Sequence, residues 1–276
     1  MTINCKGRLV DFSTPKVMGI LNTTPDSFYD GGSYVTEAKI LRRAEEILSQ
    51  GATFIDIGGY SSRPRAAFVD ETEELSRVLP TVDLILAHFP EALISVDTFR
   101  SNVARQVVEH GAALINDISA GLLDERMLET VAQVQVPYIM MHMRGNPQTR
   151  QQFTDYGDIV KEMLSYFSER TAAARNLGIN DIIIDPGFGF SKTLEQNYEV
   201  LQKLDLFQII ELPLLAAVSR KSMIYKVLES SAAEALNGTT VVNTLALSKG
   251  AKLLRVHDVK EAVECVKLTN AIWANM

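Results

Sequence analysis

The chain has 276 residues, of which 46% are hydrophobic and 22% charged, with a formal net charge of −7. Such a chain can bury one large core or two small ones, and its negative charge argues against nucleic-acid binding, although a small phosphate site stays open. Cys5 and Cys265 have no paired spacing, so we expect free thiols in a reducing compartment. No leader and no membrane-spanning apolar run is visible, so we expect a cytoplasmic protein without membrane contact.

After a polar lead-in or hairpin over residues 1–15, strand-like and helix-like segments alternate. The predicted strands are Val17–Asn22, Phe54–Gly59, Leu93–Thr98, Ala113–Ser119, Val136–Met143, the part of Asp181–Phe190 that ends at Asp185, Leu212–Ser219 and Lys252–Asp258. The predicted helices are one ending near Gly51, then Asp70–His88, Ser101–His110, Asp124–Val134, Tyr156–Gly178, Leu194–Leu204, two pieces broken at a C-cap-like step at Asn237-Gly238, and Val259–Trp273.

The segment Asp181–Phe190, DIIIDPGFGF, indicates which kind of sheet these strands form. An apolar run stopped by Pro186 and Gly187 is typical of a strand buried on both faces of a parallel sheet. Eight strand–helix units over residues 1–276 predict a single-domain α/β TIM barrel. A doubly wound open sheet is the alternative, but no GxGxxG follows the first strand.

Polar residues recur where the predicted strands end, and in a barrel ligands bind at this end. One group suits the edge of a nitrogen heterocycle, because carboxylates accept paired N–H bonds and an amide both donates and accepts: Asp97, Asn116, Asp185 and Lys221. A second group suits a phosphate or pyrophosphate: Asn22, Arg63, Arg255 and His257. For Asp56, inside its strand, and Asp117, on the opposite face from Asn116, we favour structural roles.

Two predicted loops are unusual, and the first of them is longer than a connection requires. They are residues 22–32, NTTPDSFYDGG, and the segment that begins at residue 58 with GGYSSRP. We expect them to close over a ligand and exclude water.

Eight motifs follow one another along the chain, and together they are highly specific. They are MGILNTTPDSFYDGG (Met18–Gly32), DIGGYSSRP (Asp56–Pro64), SVDTFR (Ser95–Arg100), INDIS (Ile115–Ser119), MHMRGNP (Met141–Pro147), DPGFGF (Asp185–Phe190), SRKS (Ser219–Ser222) and RVHDV (Arg255–Val259). In these motifs the chain resembles the dihydropteroate synthase family over nearly its whole length. The resemblance implies a TIM-barrel transferase of folate biosynthesis, usually homodimeric and a sulfonamide target. Such enzymes join 6-hydroxymethyl-7,8-dihydropterin pyrophosphate to p-aminobenzoate, release pyrophosphate, and use Mg2+ that accompanies the pyrophosphate.

The resemblance also implies a role for each residue that matches a family motif. Asp97, Asn116, Asp185 and Lys221 would hold the pterin, and Asp30 would face the reacting carbon. The pyrophosphate would be bound by Asn22, Arg63, Arg255 and His257, with Asn22 near the magnesium. The p-aminobenzoate pocket would comprise Phe28, Ser62, Pro64, Phe190, Lys221 and Ser222. Departure of pyrophosphate leaves a stabilised pterin cation, so we expect the leaving group to depart first and the amine to attack second.

Five positions depart from the family pattern, all in predicted loops: Tyr29, Tyr60, Ser62, Arg65 and Ser191. Two other functions stay open at this point. A pterin-binding methyltransferase barrel would share the strand-end Asp and Asn residues, but it would lack the first-loop motif and SRKS. A non-catalytic relative would have lost loop residues or Arg255 and His257, which are present here.

Overall fold

The computed structural model describes residues 1–23, 33–60, 69–149 and 152–274. Its strands are β1 Thr2–Cys5, β2 Arg8–Asp11, β3 Lys16–Asn22, β4 Phe54–Gly58, β5 Leu93–Asp97, β6 Leu114–Asp117, β7 Tyr138–Met141, β8 Ile182–Asp185, β9 Leu215–Ala216 and β10 Leu253–Val256. Its helices are α1 Ser33–Ser49, α2 Glu71–His88, α3 Ser101–Glu109, α4 Met127–Val134, α5 Ile159–Asn176, α6 Leu194–Gln202, a 3-10 helix Leu204–Ile210, α7 Ser222–Tyr225, α8 Leu236–Ser248 and α9 Val259–Trp273.

Eight parallel strands form the central sheet, in the order β8-β7-β6-β5-β4-β3-β10-β9. The first and last strands of the sheet meet through one parallel bridge between Ile184 and Leu214, where the Ile184 N–H donates to the Pro213 carbonyl at 3.0 Å. The sheet therefore curves into a barrel with the helices outside, and the predicted TIM barrel is confirmed.

Successive side chains along each strand point to opposite faces of the sheet, so the strands contribute to two hydrophobic cores: one between sheet and helices, and one inside the barrel. On β4, Ile55 and Ile57 face the helices, and Phe54 faces the barrel interior. The same division repeats on β5, where Ile94 and Val96 face outward. Because both faces are covered, the strands consist of continuous apolar runs that are interrupted mainly where polar side chains enter the barrel mouth.

Of the lead-in or hairpin expected at residues 1–15, the structure shows the hairpin, as the antiparallel pair β1–β2. Its buried side chains, Ile3, Cys5, Val10 and Phe12, pack with the interior residues at the amino-terminal end of the barrel strands. The hairpin thus closes the end of the barrel that lies opposite the polar strand ends. Both cysteines are free thiols, as predicted, and both are buried.

The predicted break at Asn237-Gly238 is wrong, because α8 runs without interruption from Leu236 to Ser248. A Cβ on Gly238 would lie 2.4 Å from Cγ2 of Ile224 and 2.8 Å from Cδ1 of Leu228. Glycine is needed there because any side chain would collide with the segment after β9. The Asn-Gly step therefore looks like a helix end in the sequence, but it lies inside the helix. Several predicted strands are also shorter in the structure; the seventh, Leu212–Ser219, is reduced to Leu215–Ala216 and the bridge at Leu214.

Candidate active site

Strand register brings several predicted site residues to one level of the barrel mouth. Asn22 pairs with Gly58, Gly58 with Asp97, and Asp97 with Asn116 on the adjoining strands. The Asn22 side chain stands over Gly58, where an added Cβ would lie 3.6 Å from Asn22 Oδ1. Residues from distant parts of the sequence therefore line one rim.

An ionic cluster lies at the centre of this mouth, with Asp56 fully buried and the side chains of Asp97 and Arg255 each 18% exposed. Arg255 donates from Nε to Asp56 Oδ2 at 2.6 Å and from Nη2 to Asp97 Oδ2 at 2.9 Å. Asp56 also accepts from Ser95 Oγ at 2.5 Å and from Asn116 Nδ2 at 3.3 Å. Asp56 thus cross-links four strands, in agreement with the structural role expected for it, and it also positions two predicted ligand-binding residues.

The ionic cluster shifts the pKa values of its members. Burial raises the pKa of Asp97 to about 7, even though the neighbouring Arg255 opposes the shift. Burial disfavours the charge on Arg255, but Asp56 and Asp97 outweigh this effect and raise its pKa. Arg255 therefore stays charged, and Asp97 can change protonation near neutral pH.

Asp185 ends β8 and faces a second cation. Its Oδ1 accepts from the Gly187 N–H at 2.7 Å. Burial raises its pKa, and Lys221 is the strongest opposing influence. Lys221 Nζ donates to the Phe188 carbonyl at 2.5 Å and lies 5.1 Å from the centre of the Phe190 ring. Asp185, Lys221 and Phe190, which were predicted to contact the two substrates, are therefore neighbours.

Lys192 stabilises the glycine-rich turn after β8 by hydrogen bonds to its carbonyls. The sequence did not reveal this role. Lys192 is buried, and its Nζ donates to the carbonyls of Gly187 and Phe190 at 3.2 and 3.0 Å. It also lies 3.1 Å from His142 Nδ1. Burial, followed by the charge of Lys192, lowers the pKa of His142 well below its usual range, so His142 is neutral and accepts this bond.

An apolar wall completes the described part of the mouth. Ile118, Met141, Met143 and Phe190 form a small buried cluster against which Phe99 and Leu123 pack. Such a wall next to buried carboxyl groups suits a flat heterocycle, whose faces are apolar and whose edges form hydrogen bonds. Its methionines could not be distinguished from ordinary core residues in the sequence.

On the other side of the mouth, His257 is fixed by β9 and its following loop. Ser219 Oγ lies 3.0 Å from His257 Nδ1 and accepts from the His257 N–H at 3.2 Å. Arg220, whose φ is +53°, donates to both oxygens of Asp258 at 2.8 Å. These bonds position the chain at Ser222, the first residue of α7.

Asp117 has the structural role expected for it. Its oxygens accept from the Ser119 N–H, the Ser119 hydroxyl and the Gly121 N–H, each at 2.7 Å, and from Tyr138 Oη at 2.5 Å. It lies on the helix-facing side of β6 and does not enter the mouth. Five predicted site residues, Phe28, Asp30, Ser62, Arg63 and Pro64, lie outside the described residues, as do the departures Tyr29 and Arg65.

The other two departures from the family pattern are well accommodated. Ser191 has a φ of +49°, a backbone conformation that favours glycine. Its hydroxyl donates to the Arg144 carbonyl at 2.8 Å and accepts from the Arg144 N–H at 3.0 Å, which offsets the backbone cost. Tyr60 accepts from Gln148 Nε2 at 2.7 Å and packs edge-on to Phe99.

Among the described residues, no group of three or more His, Cys, Asp or Glu side chains is arranged to hold a metal ion. Asn22 offers one amide oxygen at the rim. A single oxygen of this kind fits Mg2+, which keeps several waters and takes its other ligands from a bound phosphate. In the same part of the chain, no helix has both the length and the apolarity needed to cross a bilayer.

Known proteins resemble this chain in sequence and in fold. Residues 18–257 match the family described as pterin binding enzyme. Dihydropteroate synthase of Escherichia coli strain K12 is 43% identical over 273 residues, which are 98% of this chain and 96% of the relative.

Two solved structures extend the match to three dimensions. Yersinia pestis dihydropteroate synthase in a sulfonamide complex has a TM-score of 0.93 and 40% identity, and the match covers 99% of this chain and all of the other. Xanthomonas albilineans dihydropteroate synthase in complex with 7,8-dihydropteroate has a TM-score of 0.89 and 35% identity, with 99% of both chains covered. The chain belongs to the dihydropteroate synthase family.

Proposed function

We propose that the protein joins 6-hydroxymethyl-7,8-dihydropterin pyrophosphate to p-aminobenzoate and releases pyrophosphate. The observation that carries this proposal is the convergence of Asp97, Asn116, Asp185 and Lys221 on an apolar wall at the barrel mouth. The bound 7,8-dihydropteroate of the Xanthomonas albilineans relative supports the same product. The relatives give no support to a methyltransferase or a non-catalytic alternative.

The pterin would bind through its edge. A carboxylate at Asp185 accepts paired N–H bonds, and Lys221 beside it favours the charged form of that carboxyl group. Asn116 donates to Asp56, so its oxygen remains to accept a hydrogen bond from the ligand. Asp97 would complete this set from the neighbouring strand.

The reaction breaks the bond between the pterin methylene carbon and a pyrophosphate oxygen, and the electron pair leaves with the pyrophosphate. The resulting cation is delocalised over the dihydropterin, next to Asp30 in our assignment. The amine nitrogen of p-aminobenzoate then bonds to that carbon and loses a proton. Since the aromatic amine has a free lone pair, the site needs anion binding more than a strong base, and we assign this to Asn22, Arg63, Arg255 and His257.

The p-aminobenzoate would lie between the loops and the rim. We assign its pocket to Phe190, Lys221 and Ser222 together with Phe28, Ser62 and Pro64 in the two long loops. Lys221 lies close to Phe190 and to the Asp185 turn, so one cation could serve both substrates. The hydroxyl of Ser222, at the start of α7, could donate a hydrogen bond to a carboxylate on the second substrate.

Mg2+ would accompany the pyrophosphate, with Asn22 as its protein ligand. When bound, the ion would neutralise charge on the departing phosphate oxygens. We also propose a homodimer, because α8 and α9 pack side by side and expose apolar residues at helical spacing: Val241, Leu245, Leu268 and Ile272. The buried free thiols of Cys5 and Cys265 fit a reducing cytoplasm.

A coupled assay for pyrophosphate release tests the proposed reaction. Release that depends on p-aminobenzoate, with 7,8-dihydropteroate as the product, is the expected result. Pyrophosphate release without any pteroate product, or no release at all, would contradict the proposal. Asp205→Asn, on the exposed 3-10 helix, serves as a control variant with unchanged activity.

A further inference from the structure

A cavity of about 420 Å³ opens beside the barrel mouth, between α1 and the carboxyl-terminal ends of β3 and β10. Asn22 and His257, which we assign to the pyrophosphate, form its inner wall. Its outer wall belongs to α1 and carries Lys39, Arg42 and Arg43 together with Glu46. The cavity therefore continues the predicted leaving-group site outward to solvent.

The three cations lie on one helix face, because residues three and four positions apart are neighbours on an α-helix. Arg43 is fixed in the wall: it donates from Nη2 to the His257 carbonyl at 2.6 Å and pairs with Glu46 at 2.8 Å. Glu46 offsets one positive charge. Lys39 and Arg42 leave the cavity wall with a net positive charge.

The charge balance inside the mouth makes this wall relevant to the reaction. Arg255 contributes one guanidinium against two carboxyl groups, Asp56 and Asp97. This cluster alone provides no excess positive charge for a departing pyrophosphate. Arg63 and Mg2+ are assigned to the same anion, and the cavity wall adds further cations from α1 close to Asn22 and His257.

We propose that Lys39, Arg42 and Arg43 form an outer anion subsite that binds the phosphate group farthest from the pterin. The subsite takes condensed phosphates and retains pyrophosphate on its way to solvent. This inference rests on the proposed function, since it assigns the position of the leaving group of that reaction. The other explanation of the same residues is a solvated basic helix face without a ligand.

Calorimetric titration with inorganic pyrophosphate in magnesium chloride separates these explanations. The Lys39→Met, Arg42→Met double variant removes two charges and keeps the apolar part of each side chain. Lys161→Met, on α5 across the barrel, is the matched control for loss of an exposed helix lysine. Circular dichroism and thermal melting establish that each variant is folded.

We expect the pyrophosphate Kd of the double variant to rise about tenfold at low salt, since each cation in a partly exposed site contributes modestly. The difference from the unaltered protein should shrink as ionic strength rises, and Lys161→Met should change the Kd less than about twofold. Pterin affinity should remain unchanged in all three proteins, because none of these residues is assigned to the pterin.

Equal pyrophosphate affinity in the double variant and the unaltered protein would overturn the subsite. So would a loss of affinity of the same size in Lys161→Met, because it would show an effect of net charge alone. Failure of the proposed function is a separate outcome: the unaltered protein would then form no dihydropteroate in the pyrophosphate-release assay, whatever its affinity for the free anion.

Discussion

Replacing Asp56 with asparagine tests whether the ionic cluster holds the barrel mouth together. The change keeps the shape of the side chain and removes its charge. Asp56 is fully buried, and both of its oxygens are used by Ser95, Asn116 and Arg255. An amide offers one acceptor oxygen, so its NH2 group must face at least one of these donors.

The expected cost follows from these contacts. Removing one partner of a buried ion pair costs about 3–5 kcal/mol, and we take the lower end because Arg255 keeps its bond to Asp97. A loss of about 3 kcal/mol corresponds to a fall in Tm of about 6–12 °C for a domain of roughly this size. The exposed pair of Asp205 with Lys249, at 3.5 Å, supplies the control: Asp205→Asn should cost less than about 1 kcal/mol.

Urea unfolding followed by circular dichroism gives the free energy of unfolding for both variants, and differential scanning calorimetry gives Tm. Asp56→Asn should also weaken pterin binding, because Arg255 and Asn116 lose their common partner. A free energy of unfolding equal to that of Asp205→Asn would refute the reasoning. It would mean that the buried carboxylate contributes nothing beyond an exposed one.

Three further predictions concern the ligands and pH. Asp185→Asn should abolish measurable pterin binding in calorimetry while Tm shows an intact fold, since a mismatched buried polar pair costs about 1–3 kcal/mol or more; affinity within a few-fold of the unaltered protein would contradict this. Burial raises the pKa of Asp97 above its unfolded value, so its contribution to stability is complete at low pH and is lost as pH rises from 3.8 to about 7. The free energy of unfolding of Asp97→Asn in urea should lack this dependence on pH. If it varied with pH in parallel with that of the unaltered protein, the prediction would be wrong. Equilibrium dialysis should show weak p-aminobenzoate binding to the free protein and much tighter binding with a pterin and magnesium pyrophosphate present. Arg63→Ala should erase most of this enhancement without changing the weak binding, and equal affinity in both conditions would indicate a preformed amine pocket.

The barrel fold and many of the residues at its mouth could be predicted from the sequence. Buried parallel strands are recognisable as apolar runs, and the residues that follow them must meet at one end, which is why Asp97, Asn116 and Asp185 could be assigned together. Partners across the barrel could not be assigned in this way. Arg255 pairs with Asp56, 199 residues earlier, and only closure of the sheet brings the two together.

Two other features depended on packing that local sequence does not encode. Lys192 follows a glycine-rich turn, and nothing in its neighbours distinguishes a buried lysine from a solvated one. Gly238 and the asparagine before it are both residue types that commonly end helices, but contact with Ile224 and Leu228 decides the role of Gly238. Lys192 is buried against His142, 50 residues earlier, and Gly238 packs against residues that precede its own helix.

Only one bridge, between Ile184 and Leu214, is seen between β8 and the β9 segment, so a ligand bound there would help to close the barrel. Asp185 ends the strand on one side of this joint, and Lys221 follows the strand on the other side. A pterin held by both residues would span the joint and tie its two edges. Because a ligand stabilises the state that it binds, substrate should slow hydrogen exchange at the Ile184 amide more than at amides between fully paired strands such as β4 and β5. The most weakly hydrogen-bonded joint of the barrel would then be the one that substrate completes.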